Sequence, residues 1–135
     1  MTQLPPGGGE ESRTGRTLAA LEKLGFTQRD RMRLRFSFEA ATLHQAVELA
    51  SELRTIAGNV VQVRPGQAML RVKRRWNVTL STPPTALAPA AIHRWESELG
   101  SVARRHTGCS LVGWEPLLDA RHVNRIVSGP GGWPT

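Results

Sequence analysis

Cysteine, tyrosine, acidic residues and long apolar runs are all scarce in this sequence of 135 residues. The single cysteine, Cys109, excludes an intramolecular disulfide bond, so folding does not depend on an oxidising compartment. No window approaches the roughly 20 apolar residues that a membrane-spanning helix needs. The first seven residues lack the basic flank and the apolar stretch of a signal peptide. These absences favour a cytoplasmic protein that does not act at a membrane.

Positive charge is abundant and unevenly distributed. Basic residues outnumber acidic residues by 18 to 11. Residues 29–35 and 64–75 together contain nine of the basic residues and one acidic residue, Asp30. Such a local excess predicts affinity for a polyanion or for an acidic protein surface, but it does not predict a fold.

In the first half of the chain, segments whose apolar residues have helical spacing alternate with segments whose apolar residues have strand spacing. A helix is predicted over 14–24, with Gly25 as its stop signal. Residues 31–38 alternate between polar and apolar side chains, which predicts a half-buried strand with a basic outer side. A second helix begins with a capping box of Thr42 and Gln45 and ends at Gly58. Its apolar stripe is predicted to be Leu43, Ala46, Val47, Ala50, Leu53 and Ala57.

The second half contains three further strands and two further helices. Strands are predicted over 60–64, over 68–81 with a bulge near Arg74, and over 111–114, and Pro83-Pro84 is expected to end the sheet. A long helix begins near Pro89 and ends at Gly108, with an apolar stripe of Ile92, Trp95, Leu99 and Val102. A last helix is predicted over 117–127.

This order of elements, β-α-β-β-α-β after a leading N-terminal helix, predicts an α+β fold, a ferredoxin-like two-layer sandwich. A single domain would span 14–127, with a disordered leader over 1–13 and a flexible tail over 128–135. Both main helices would cover one face of the sheet and leave the other face open.

The predicted open face concentrates positive charge. The first and third strands are adjacent in this topology, so their alternate side chains would lie side by side: Arg31, Arg33, Arg35, Arg71, Lys73 and Arg75. Like charges directly across a sheet cost up to about 1 kcal/mol each, so the row favours a binding surface for a negative partner. A merely solvated face, or a face covered by an acidic segment of the same chain, is also compatible with the pattern.

The aromatic residues argue against base-specific RNA recognition. RNA-recognition modules with this topology stack bases on aromatic side chains of the open face. Phe36, Phe38 and Trp76 have the opposite parity to the arginines, and the chain contains no tyrosine. Contacts to phosphates, or to an acidic protein segment, fit the pattern better.

Catalytic and metal-binding patterns are weak. His106 and Cys109 have a spacing typical of metal ligands, but a closed zinc site needs four ligands and there is no further cysteine. Glu48 and Glu52 share a helix face, as a solvated helix surface would require, and no nucleophile, base and carboxylate form a recognisable motif. The sequence therefore predicts a protein that is not an enzyme and that has no cofactor and no metal.

Three stretches of the chain resemble a known family. They are residues 17–26, residues 43–58 followed by 60–63, and residues 92–103 followed by Gly108 and by Gly113-Trp114-Glu115. This layout is similar to that of the RraB-type regulators, which inhibit the endoribonuclease RNase E. The resemblance implies a ferredoxin-like fold, no catalysis, and docking on the non-catalytic region of the nuclease. It also implies that Gly113 and Trp114 are structural residues shared with the family. This chain is basic, whereas typical family members are acidic.

Two functions follow as expectations. The first is a regulatory adaptor that binds an acidic protein segment or a nuclease in RNA metabolism. The alternative is an RNA- or DNA-binding module that uses the basic sheet face directly. An enzyme whose site the sequence does not reveal is a third and minor alternative.

Overall fold

The computed structural model describes residues 8–57, 61–66 and 75–128, without the side chains of residues 8–12, 57, 125, 127 and 128. The described elements are four helices and five strands. In chain order they are α1 (Gly8–Lys23), β1 (Arg31–Ala40), α2 (Leu43–Ala57), β2 (Val61–Pro65), β3 (Trp76–Ser81), β4 (Thr85–Ala86), α3 (Pro89–Arg104), β5 (Cys109–Leu117) and α4 (Ala120–Ser128). The predicted α+β, two-layer class is confirmed.

The strand β1 is the centre of the sheet. It pairs antiparallel with β3 on one edge and with β5 on the other, and β2 pairs with β3. The predicted adjacency of the first and third strands is therefore confirmed. The short strand β4 pairs with the first two residues of β1, and the predicted β-α-β-β-α-β order does not contain it.

Alternation along β1 separates the core from the solvent. Met32, Leu34, Phe36 and Phe38 are at most 1% exposed, whereas the three arginines that alternate with them, at positions 31, 33 and 35, are exposed. Because successive side chains of a strand point to opposite faces, this pattern defines a core side, covered by helices, and an opposite side. The predicted half-buried strand with a basic outer side is confirmed.

Helix α1 ends as predicted but begins earlier. Gly25 has a φ of +98°, its N–H donates to the carbonyl of Glu22, and the N–H of Phe26 donates to that of Leu21. These two hydrogen bonds form a Schellman motif, which favours glycine at the left-handed position. The helix begins at Gly8, within the segment predicted as a leader.

The prediction that Pro83-Pro84 ends the sheet is wrong. Pairing with β1 resumes at Thr85 because two buried threonines provide hydrogen bonds that the prolines cannot. The N–H of Leu34 donates to Thr82 Oγ1 at 3.0 Å, and the N–H of Thr82 donates to the carbonyl of Leu34 at 2.8 Å. The hydroxyl of Thr85 then donates to the carbonyl of Pro83 at 2.8 Å.

Helix α2 has the predicted bounds, but it faces the core at a different angle. Leu43 and Val47 were predicted to be core residues and are 47% and 46% exposed. Leu49, which was not in the predicted stripe, is fully buried. The predicted stripe of α3 is confirmed, since Ile92, Leu99 and Val102 are buried and Trp95 packs against the core.

The turn between α3 and β5 depends on Gly108. The helix ends at Arg104, so the prediction that Gly108 ends it is wrong. Gly108 instead adopts a φ of +77° one residue before β5. A Cβ at this position would also overlap the side chain of Gln45.

The N-terminus of α2 has half of the predicted capping box, since the Gln45 N–H donates to Thr42 Oγ1 at 3.2 Å.

Several sequence predictions lie outside the described residues. They concern the helix stop at Gly58, the bulge near Arg74, and the tail from residue 129 onwards.

We expect Gly108→Ala to lower the free energy of unfolding by about 1–2 kcal/mol, because an L side chain is strained at this φ. The matched control is Gly15→Ala in α1, where a Cβ would meet nothing within 4 Å. This control should be neutral or stabilising by up to about 1 kcal/mol, since alanine favours helix more than glycine does. Urea denaturation measures both values, and equal effects of the two changes would contradict this role of Gly108.

Candidate functional site: the open face of the sheet

The side of the sheet opposite the buried core residues is called the open face here. Alternation and register assign to it residues of the four longer strands. They are Arg31, Arg33, Arg35, Ser37, Glu39, Gln62, Arg64, Asn77, Thr79, Ser81, Ser110, Gly113, Glu115 and Leu117. None of them is buried, whereas the opposite side carries the core. The described helices therefore leave this face accessible to a partner.

Arg31, Arg33 and Arg35 form a row along β1, called the arginine row. All three are exposed. Alternate residues of a strand are about 6.8 Å apart, so the row presents guanidinium groups at regular intervals. Within the described part of the chain, Arg31 and Arg33 form no ion pair. These two cations are available to an acidic ligand.

Arg35 differs from its two neighbours because it faces Glu115 across the β1–β5 pair. Its Nε donates to Glu115 Oε1 at 2.8 Å, and its Nη2 contacts the same oxygen. The two side chains remain 44% and 54% exposed. The pair thus neutralises one member of the row without burying it.

The predicted side-by-side arrangement of two basic rows is wrong for Arg75. Trp76 pairs with Ala40, the last residue of β1, so Arg75 lies beyond that end of the strand. Arg33 lies seven residues away from Ala40, about 23 Å along an extended strand. Arg71 and Lys73 lie outside the described residues. Arg75 is exposed, but it is not next to the arginine row.

Arg64 was not among the predicted site residues, although it lies on the open face. It is exposed on β2 and opposite Asn77. Asn77 in turn lies opposite Glu39 on β1. The described open face therefore contains four arginines and two glutamates, with the arginine row towards one end of β1. The alternation that located the row also places Arg64, because its parity matches that of Gln62 on the same strand.

The aromatic side chains point away from the open face, as predicted. Phe36 and Phe38 are fully buried, and Trp76 packs against the core from its half-buried position. Among the described residues, the open face offers no aromatic ring on which a base could stack. The geometry suits contacts to charged oxygens better than base recognition.

Gly113 and Trp114 join α1 to the edge of the sheet. Trp114 Nε1 donates to Thr14 Oγ1 at 3.1 Å, and Arg13 Nη1 donates to the carbonyl of Val112 at 2.9 Å. A Cβ on Gly113 would lie 3.3 Å from Arg13 Nη1. The register between β1 and β5 also shifts here. Gly113 and Trp114 thus make structural contacts between β5 and α1.

A second cluster of charged groups joins α2 to the turn after α3. His106 Nε2 lies 2.7 Å from Glu52 Oε1, and Arg105 contacts the other carboxylate oxygen. Hydrogen bonds from Arg105 and His106 lower the pKa of Glu52 below its usual value. The carboxylate therefore acts as an ion-pair partner between two elements.

Cys109 lies close to this cluster but is not arranged as a metal ligand. Its thiol donates to the carbonyl of Gln45 at 3.7 Å. Burial, and secondarily the charge of Glu48, raise the pKa of the Cys109 thiol. A raised pKa disfavours the thiolate that attacks substrates and binds metals. The described residues contain no group of three or more His, Cys, Asp or Glu side chains that could bind a metal ion.

The helix layer contains a cleft of about 420 Å³ between α1 and α3. Its walls are mainly apolar, and Leu18, Pro89 and Ala90 contribute to them. The Thr14 hydroxyl in its lining donates to Glu96 Oε2 at 3.3 Å. The cleft lies on the helix side of the sheet and does not include the arginine row.

No known protein family model matches the chain, and no curated protein matches it. The resemblance to the RraB-type regulators therefore stays a prediction. Among the described helices, none is both long and apolar enough to cross a bilayer.

We expect Glu52→Gln to lower the free energy of unfolding by up to about 1 kcal/mol at neutral pH, the scale of partly exposed ion pairs. Because the pKa of Glu52 is lowered by folding, its stabilising effect is complete above the ordinary glutamate pKa. The effect is lost as the pH falls through the folded-state value. The free energies of unfolding of wild type and variant, measured by urea denaturation, should therefore converge as the pH falls below the ordinary glutamate pKa of about 4.3.

Glu98→Gln is the matched control, since Glu98 is exposed on α3 and no described residue forms an ion pair with it. A loss of stability in Glu52→Gln that persisted unchanged to acidic pH would contradict the ion-pair role of Glu52.

Proposed function

We propose that this chain is a non-catalytic regulatory adaptor that binds an acidic segment of a protein partner through the open face. The observation that carries the proposal is the accessibility of Arg31 and Arg33. Both are exposed on the central strand, and no described carboxylate neutralises them. Arginine binds carboxylates well because its planar guanidinium can donate two parallel hydrogen bonds to the two carboxylate oxygens.

The open face favours an acidic peptide over a nucleic acid. Nucleic-acid binding depends on neutralising several phosphates at once, and Glu39 and Glu115 interrupt the positive charge of this face. Single-strand binding also requires stacking platforms, and Phe36 and Phe38 are buried on the opposite side. An acidic peptide requires fewer cations and no exposed aromatic ring.

The family resemblance supplies the identity that we propose for the partner. If the chain is an RraB-type regulator, the partner is a ribonuclease E-type enzyme, and the adaptor restrains RNA decay by docking on its non-catalytic region. The three stretches that resemble this family support this reading. The proposal places the protein in the cytoplasm, which agrees with its single cysteine.

The test measures binding of a fluorescent oligoglutamate peptide to the full chain by anisotropy, at two salt concentrations. We expect the double variant Arg31→Ser/Arg33→Ser to weaken binding by about 5- to 20-fold, if each exposed ion pair contributes on the usual scale. The effect should shrink at high salt because exposed charges are screened.

The control is Arg16→Ser/Arg94→Ser, which removes the same charge from exposed positions on α1 and α3. If both double variants weaken binding equally, net charge and not the open face is responsible. If single-stranded RNA binds the wild type more tightly than the peptide does, the nucleic-acid alternative is favoured instead.

A further inference from the structure

The pair between Arg35 and Glu115 places a carboxylate on the arginine row. Nε and Nη2 of Arg35 both contact Glu115 Oε1, and the two residues are register partners in the β1–β5 pair. An external carboxylate that approaches this edge of the guanidinium would need the same two donors. Glu115 is therefore positioned where a ligand's carboxylate would bind.

The pair is exposed enough to be exchanged. The side chain of Arg35 is 44% exposed and that of Glu115 is 54% exposed. Exposed ion pairs contribute little to stability, because water and salt compete with them. A ligand carboxylate that is already held near Arg35 by Arg33 can therefore displace Glu115.

The spacing of the arginine row favours one kind of acidic segment. Arg31, Arg33 and Arg35 alternate along one strand, so their Cα atoms repeat at about 6.8 Å. An extended peptide with acidic residues at alternate positions has the same repeat. Acidic residues in adjacent pairs would point to both sides of an extended peptide, so only half of them could face the row.

The neighbours of Arg35 on the open face allow close approach. Ser81 lies opposite Arg35 on β3, and Ser37 is the next residue of β1 on the same face. Both side chains are short and half-buried. An extended segment can therefore lie along β1 beside the arginine row.

We propose that the open face binds an extended acidic segment with carboxylates on alternate residues, and that Glu115 competes with this segment for Arg35. This inference rests on the proposed function and adds the geometry of the ligand and a residue that limits affinity. Glu115 acts by occupying Arg35 and does not contact the ligand itself.

The test uses the full chain and two peptides of identical composition, one alternating glutamate with serine and the other repeating glutamate pairs and serine pairs. Glu115→Gln should bind the alternating peptide about two- to fivefold more tightly than wild type, the scale of one exposed ion pair. In a variant that already carries Arg35→Ser, Glu115→Gln should no longer increase the affinity for the peptide. This non-additivity is what a double-mutant cycle shows for coupled residues.

Glu98→Gln is the control, because it removes the same charge from an exposed position on α3. If Glu115→Gln and Glu98→Gln increase the affinity for the peptide equally, the proposal that Glu115 competes for Arg35 is wrong. This holds even where the Arg31→Ser/Arg33→Ser variant still loses binding. Equal affinity for the two peptides would overturn the extended geometry. A wild type that binds neither peptide at low salt would instead refute the proposed function. Denaturation curves check that each variant is folded.

A single-stranded RNA oligonucleotide is the third ligand. A larger gain for RNA than for the alternating peptide in Glu115→Gln would assign the face to phosphates and overturn the proposed ligand class.

Discussion

The hydrogen bonding of β1 on both edges constrains every other feature of the fold. With β3 and β4 on one edge and β5 on the other, β1 has no free edge along most of its length. Its apolar side chains are among the most deeply buried in the described chain. A shift of one residue in register would move these side chains into solvent and the arginines into the core. The core and the open face are therefore specified by the same alternation.

The same alternation places the arginines in a row that is unfavourable for stability. Like charges on one strand repel each other, and only Arg35 is neutralised by a described neighbour. The helices cover the opposite side of the sheet, so the described structure offers Arg31 and Arg33 no carboxylate. The packing of the described residues therefore gives no reason for this row, and this is the basis on which an acidic partner is proposed for it.

Much of the fold could be predicted from the sequence because local patterns specify it. The alternation in β1, the bounds of α2 and the glycine stop at Gly25 depend on neighbouring residues alone. The failures have non-local causes. Pairing after Pro83-Pro84 depends on hydrogen bonds between Thr82 and Leu34, which are 48 residues apart. The exposure of Leu43 depends on the angle at which α2 lies on the sheet.

The arginine row shows the same division for the candidate site. Local alternation is enough to place Arg31, Arg33 and Arg35 on one side of a strand and the aromatic side chains on the other, because side-chain direction alternates within a strand. The contact between Glu115 and Arg35, and the position of Arg75 at the far end of the sheet, depend on how distant strands pair. Register between strands is set by turns, bulges and core packing across distant segments, so no local pattern contains it.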